Sequence, residues 1–235
     1  MDKLIRTLCV DIGGSKIKAI VVDQQKKAVT ERVRLETPRP AVPEEVLKAI
    51  LQLAEQSGKF DRVSVGFPGV IQHGVVKTAP NLDPSWSGFN LNEALAAQLN
   101  KPVRSANDAA VQGLGAISGK GLEMVVTLGT GLGCALYSDG RLAAGLEMAH
   151  HPFRKGKTYE EYLGAAALNA DGKKDWNRHL LEAIGNWERL VNYDHLYLGG
   201  GNTEFISFEL PANVTISSNQ EGMYGGLGLW LEHSV

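Results

Sequence analysis

Thr7-Leu8-Cys9-Val10-Asp11-Ile12-Gly13-Gly14-Ser15-Lys16-Ile17-Lys18-Ala19-Ile20-Val21-Val22 and Val125-Val126-Thr127-Leu128-Gly129-Thr130-Gly131-Leu132-Gly133-Cys134-Ala135-Leu136-Tyr137 decide the fold. In each, an apolar run enters a glycine turn and a second apolar run leaves it, which reads as strand, tight turn, strand. The recurrence in both halves favours two related lobes over one continuous sheet. Around the first stretch, strands over 4–10, 17–22 and 28–35, stopped by Pro38 and Pro40, make a β-meander. Val46, Leu47, Ile50, Leu51 and Ala54 then recur at helical spacing until Ser57-Gly58. A strand at 63–67 follows, then a Pro-, Gly- and Asn-rich ordered loop over 68–90 with one short strand at 75–77, the kind of loop that lines sites. A helix over 91–99, a strand over 103–105 and a helix from 109 to about 117 come next.

Around the second stretch the pattern predicts strands at 125–128, 134–137 and 141–144, helices over 159–170 and 176–191, a strand at 195–198 ending in Gly199-Gly200-Gly201, a weak strand at 214–216 and a last helix from about Glu221. The expected division is an N-terminal lobe of 1–106, onto which the final helix of about 221–235 packs, and a C-terminal lobe of 107–220.

With 235 residues, 43% of them hydrophobic and 21% charged, the chain has the composition of a soluble globular protein. A formal net charge of -2 gives no reason to expect nucleic acid or an anionic membrane as partner. Cys9 and Cys134 both sit in apolar runs, as buried thiols of a reducing compartment do, and the start at Met1 runs straight into a strand pattern without a secretory signal. A cytoplasmic protein with no membrane-spanning helix is expected.

Several segments carry chemistry. In Asp11-Ile12-Gly13-Gly14-Ser15-Lys16 an acid ends a strand and glycines admit an anion close to backbone N–H groups, which suits a phosphate and its Mg2+; an ordinary hairpin turn would also use Gly-Gly. Gly129-Thr130-Gly131-Leu132-Gly133 offers a second cradle, lacking both the helix of a dinucleotide fingerprint and the Gly-Lys-Ser/Thr of a Walker loop. Gly199-Gly200-Gly201-Asn202 admits a flat ring or a phosphate, or is a plain loop. Asn107-Asp108 stands where a strand gives way to a helix, the place for a cap or for a base accepting a hydroxyl proton. Glu147-Met148-Ala149-His150 puts a carboxylate and an imidazole three apart, able to hold neighbouring sugar hydroxyls; the rival metal pair has no cysteine nearby.

Taken in order, Asp11 to Ser15, Gly66-Phe67-Pro68-Gly69, Pro80-Asn81-Leu82, Asn107-Asp108, Gly129 to Gly133, Glu147 to His150 and Leu198-Gly199-Gly200-Gly201 resemble the motifs of the ROK family of sugar kinases. The resemblance implies an α/β, two-lobed fold of the actin, hexokinase and Hsp70-ATPase class, with duplicated mixed sheets flanked by helices. Residues 67–79 look most like the polyphosphate/ATP glucokinase branch, which implies glucose as acceptor and ATP or inorganic polyphosphate as donor. By the same resemblance Asp108 is the catalytic base for the sugar 6-hydroxyl. Gly69, Asn81, Asn107, Glu147, His150 and either Glu160 or Glu161, with Glu160 favoured, bind the sugar. Asp11, Gly13, Gly14, Ser15, Lys16, Gly129, Thr130, Gly131, Gly199, Gly200 and Gly201 bind the donor, and Asp11 positions Mg2+ through water.

Many ROK kinases follow the Glu-x-x-His segment with a cysteine-rich zinc site; 151–162 contains no cysteine, so no structural zinc is expected. ROK repressors carry a helix-turn-helix ahead of the kinase-like part, and no segment for one precedes Leu4 here, so DNA binding is not expected. The segment after Gly201 is short for the family, which leaves the adenine pocket, and so the choice of donor, open. Lys16, Lys18, Lys120, Lys155, Lys157, Lys173 and Lys174 form either a polyphosphate track or a solvated surface. A homodimer is what the resemblance suggests. The rival readings are a kinase for mannose or an N-acetylated sugar, and a non-catalytic sugar sensor.

Overall fold

Residues 4–80, 82–143, 146–217 and 224–231 are described by the structure, a computed structural model. In the first half, β1 (Arg6–Ile12) and β2 (Lys16–Asp23) form a hairpin that places Asp11 opposite Lys18, with β3 (Val33–Glu36) on its outer edge. Helix α1 (Pro43–Gln56) leads to β4 (Arg62–Phe67), and the small hairpin β5 (Ile71–Gln72) and β6 (Val75–Val76) precedes α2 (Leu91–Leu99), β7 (Val103–Asn107) and α3 (Asp108–Ala116). The sheet order is β3-β2-β1-β4-β7, and β1, β4 and β7 run parallel.

The near-continuous apolar run of β1 has a physical cause: both faces are covered. Leu8, Val10 and Ile12 pack with Val46, Ile50 and Leu53 of α1. Cys9, with Ile20 and Val22 of β2, packs under Leu227, and burial pushes the Cys9 thiol up to about 12. Leu227 belongs to a 3-10 turn, Gly225–Trp230, the described part of the expected final α-helix. Its glycines allow close packing: a Cβ at Gly226 would come within 2.8 Å of Cys9 Sγ, and one at Gly228 within 2.9 Å of Leu114 Cβ. The turn is fastened by Trp230 Nε1 donating to Ser64 Oγ (2.8 Å) and Ser64 Oγ donating to the Gly226 carbonyl (2.6 Å), with Arg62 and Arg104 on the Trp230 ring.

The second half repeats the plan with β8 (Leu122–Leu128), β9 (Leu132–Ser138) and β10 (Arg141–Leu142), the hairpin β11 (Pro152–Arg154) and β12 (Lys157–Thr158), α4 (Tyr159–Leu163), α5 (Ala165–Val191), β13 (His195–Gly199) and β14 (Val214–Ile216). Its sheet order is β10-β9-β8-β13-β14, with β8, β13 and β14 parallel. Trp176, Leu180, Ile184 and Trp187 of α5 bury Met124, Val126, Leu196 and Leu198. The expected helix over 159–170 is interrupted at Gly164, and α5 itself breaks at Gly172 (φ 78°, ψ 162°). The buried Glu123 carboxylate accepts N–H bonds from Ser118 (2.7 Å), Gly119 (2.8 Å) and Lys120 (3.2 Å) and the Tyr197 hydroxyl (3.0 Å). Burial alone would raise its pKa; these bonds more than offset that and hold it below the usual carboxylate value.

The fold is thus the expected α/β one, a mixed sheet flanked by helices in each of two compact units, Met1–Gly115 with Gln220–Val235, and Ala116–Asn219. The division falls at 115/116, at the last residue of α3, and not at 106/107, because α3 packs on the first unit: a Cβ at Gly225 would strike the Val111 carbonyl and the Gly115 N–H. No described helix is long and apolar enough to cross a membrane.

His179 of α5 is 6% exposed, lies edge-on to Tyr162 at 4.7 Å, and its Nδ1 has no partner among the described residues. Burial lowers its pKa, with Arg154 and Arg178 adding to the effect and Asp171 and Asp175 opposing it. A histidine held neutral in the folded state contributes stability above its unfolded pKa of about 6.5 and loses it as pH falls, because the unfolded chain takes the proton first. The thermal midpoint of the wild type should therefore fall from pH 7.5 to 5.5, and that slope should flatten in His179→Phe, as followed by circular dichroism.

Candidate active site

Parallel pairing sets Asp11 of β1 opposite Gly66 of β4, and Phe67 of β4 opposite Asn107 of β7, so three strands end side by side. Such carboxyl-terminal strand edges are where open α/β sheets present their ligand sites. A Cβ at Gly66 would lie 3.5 Å from Asp108 Cα and 3.7 Å from Asp11 Oδ1, so both acids approach this glycine. Asn107 supplies the helix cap: its Oδ1 accepts the N–H groups of Ala109 (3.0 Å) and Ala110 (3.3 Å), while its Nδ2 donates to the Gly69 carbonyl (3.2 Å). Asp108 Oδ1 accepts the Ala109 N–H at 2.8 Å, at the start of α3. Asn81 lies outside the described residues.

The first glycine turn is built from behind. Thr37 Oγ1 donates to the Gly13 carbonyl (2.6 Å), the Thr37 N–H to the Ser15 carbonyl (2.9 Å) and Arg39 Nη2 to the Gly14 carbonyl (2.8 Å). Among the described residues no protein acceptor takes the N–H groups of Gly14 and Ser15, which leaves them available to solvent or to an anion. Lys18 Nζ sits 3.3 Å from Asp11 Oδ2, whereas the Lys16 ammonium pairs with Glu36 at 3.5 Å. Thr37 and Arg39 escape sequence reading because they act on carbonyls far along the chain, and Lys18 stood there only as one of several scattered lysines.

In the second unit, Gly199 pairs with Thr127, so the turns after β8 and β13 lie at one sheet edge. The Gly129 carbonyl accepts Asn202 Nδ2 (2.9 Å) and the Ala165 N–H (2.9 Å), and Gly200, at φ 89°, presses so closely on Leu128 that a Cβ would fall 2.2 Å from its carbonyl oxygen. Gly129, Thr130 and Gly131 thus join Gly199, Gly200 and Gly201 in one construction tied by Asn202. Glu160 and Glu161 part company here. Glu161 is exposed and closes a capping box with Thr158, which holds its carboxyl below the usual range. Glu160 is half-buried, and its Oε2 accepts the Leu132 N–H at 3.0 Å. Glu147 precedes and His150 ends a 3-10 turn, Met148–His150, anchored by buried Met148 and Ala149. Both polar residues are exposed.

Among the described residues no group of three or more His, Cys, Asp or Glu side chains is placed to hold a metal ion. The Asp11 carboxylate, 3.3 Å from Lys18 and close to the Gly13-Gly14 turn, nevertheless suits Mg2+, which keeps its waters and takes one or two carboxylates together with substrate phosphates.

Gly69 is constrained by packing as well as by its bond to Asn107. A Cβ there would fall 2.1 Å from the Thr78 carbonyl oxygen. Gly69→Ala should destabilise the protein by about 1–3 kcal/mol in urea unfolding, since backbone and not a flexible side chain has to move.

Comparison with known proteins agrees with this geometry. The model of the ROK family matches residues 7–153. The polyphosphate glucokinase of Mycobacterium tuberculosis is 35% identical over 205 residues, 82% of this chain and 76% of that protein. The crystal structure of inorganic polyphosphate/ATP-glucomannokinase from Arthrobacter sp. strain KM superposes with a TM-score of 0.83 at 34% identity, covering 95% of this chain and 97% of the other. A ROK family glucokinase from Streptomyces griseus, in complex with glucose and AMPPNP, shares the fold at a TM-score of 0.78 and 20% identity, covering 95% and 98% of the two chains. The chain is a member of the ROK family.

Proposed function

We propose that the protein is a hexose kinase that transfers a phosphoryl group from ATP or inorganic polyphosphate to the 6-hydroxyl of glucose, with Asp108 as general base. The observation that carries the reading is the approach of two acids to Gly66 at the strand edge: one next to the Gly13-Gly14 turn, the other at a helix N-terminus next to Asn107. The names of the relatives, a polyphosphate glucokinase and a polyphosphate/ATP-glucomannokinase, support both the acceptor and the two donors.

In this reading the N–H groups of Gly14 and Ser15, and those of Thr130 and Gly131, hold donor phosphates. Asp11 would hold Mg2+ through water; when bound, the ion neutralises charge on the transferring phosphates. Asn107, Glu147, His150 and Glu160 orient the sugar, and Asp108, at a helix N-terminus beside Asn107, accepts the proton of the attacking hydroxyl. Mannose is the second acceptor to consider, because the Arthrobacter relative is named for both sugars.

Asp108→Asn should lower kcat by roughly 10²–10⁴-fold while changing the glucose KM little, measured as sugar 6-phosphate formation with ATP and, separately, with inorganic polyphosphate. Turnover close to wild type in this variant would remove Asp108 from the role of base.

A further inference from the structure

Glu147 and His150 precede the hairpin β11–β12, and Glu160 follows it, one residue into α4. The backbone of this hairpin does little to fix the distance between them. It has two short strands, an irregular register between Pro152 and Arg154, and an exposed turn with Lys155 and Gly156 both at positive φ (48° and 76°). A two-stranded hairpin is marginal by itself.

Side chains supply what the backbone lacks. The Phe153 ring stacks on Tyr159 with centroids 4.6 Å apart and planes 20° from parallel, and meets Tyr162 edge-on at 5.5 Å. Tyr159 in turn lies 5.4 Å from the fully buried Trp187 of α5. Arg154 Nη1 donates to Glu182 Oε2 of α5 at 2.6 Å, and its guanidinium lies 5.9 Å from the Tyr162 ring. The chain then reaches the sugar-side residues directly: the Tyr159 N–H donates to the His151 carbonyl at 3.2 Å, and the His151 N–H to that of Met148 at 3.1 Å.

We infer that the Phe153–Tyr159–Trp187 stack, braced by Arg154 on Glu182, sets the position of Glu147 and His150 relative to Glu160, so that Phe153 and Arg154 are positioning residues for sugar recognition. This rests on the reading of Glu147, His150 and Glu160 as sugar ligands. It explains what adds rigidity to a segment whose own backbone pairing is short and irregular. It also makes a claim that general stability does not: the effect falls on the sugar. The Gly129 carbonyl is tied by Asn202 and Ala165 and not by the hairpin's side chains.

The test is steady-state kinetics of Phe153→Ala, Phe153→Tyr and Arg154→Gln beside the wild type and His150→Ala, with circular dichroism confirming that each variant is folded. Phe153→Ala should raise the glucose KM by up to roughly tenfold, the scale of a lost aromatic pair, and leave the donor KM within about twofold; Phe153→Tyr, which keeps the stack, should restore the wild-type value. Arg154→Gln, at a partly exposed ion pair, should raise the glucose KM by about two- to fivefold and serves if Phe153→Ala does not fold. If His150→Ala raises the glucose KM and the Phe153 and Arg154 variants do not, or if they raise both KM values equally, the inference is overturned while the sugar reading stands. If His150→Ala itself leaves the glucose KM unchanged, the sugar reading falls and takes the inference with it.

Discussion

Parallel pairing of β1, β4 and β7 is the constraint on which the first unit depends. Parallel strands cannot be joined by a tight turn, so each must leave the sheet at its carboxyl end and return over a face, and the ends gather along one edge. Here that register sets Asp11 beside Gly66 and Asn107 beside Phe67, and the chain leaving β7 turns at once into α3. Asn107 absorbs the unpaired N–H groups of that helix start, which leaves the next residue, Asp108, with its carboxylate at the positive end of the helix. Chemistry and architecture are thus the same fact: the acids are where they are because the strands end there.

The second unit applies the same rule to backbone donors. Its parallel strands β8 and β13 end in glycine turns, and glycine is required where the chain passes close to itself, as Gly200 does over Leu128. Side chains are recruited to turn carbonyls away and leave N–H groups outward: Asn202 at Gly129 in this unit, and Thr37 and Arg39 at the Gly13 turn of the other. Glu160 has a double position, since the carboxylate read as a sugar ligand also accepts an N–H from the residue after Gly131. A Cβ at Gly131 would fall 2.3 Å from that carboxylate oxygen, so the glycine is what lets the two approach.

Much of this was legible in the sequence, for reasons that are local. The hairpin of β1 and β2, the helix over 91–99 and the strand over 214–216 follow from apolar periodicity and turn residues, and Asn107-Asp108 from the meeting of strand and helix signals. What escaped is long-range. The strand read as 103–105 continues to Asn107 because β4 is there to pair with it. The helix expected from about Glu221 is, where described, a 3-10 turn whose glycines press on Cys9, Ser64 and Leu114, neighbours far off in the sequence. Glu160 and Glu161 are indistinguishable in a string of letters, and only the capping box of Thr158 separates them.

The most direct measurement is the identity of the product. Purified protein, Mg2+, glucose and either ATP or inorganic polyphosphate are followed by two-dimensional proton–phosphorus NMR. A hexose kinase of this design gives a new phosphorus signal correlated with the two protons on carbon 6 of the sugar, and it appears only when sugar and donor are both present. Glucose that binds while no sugar phosphate forms with either donor, or with mannose in its place, would contradict the assignment and make the protein a sugar sensor on a kinase fold.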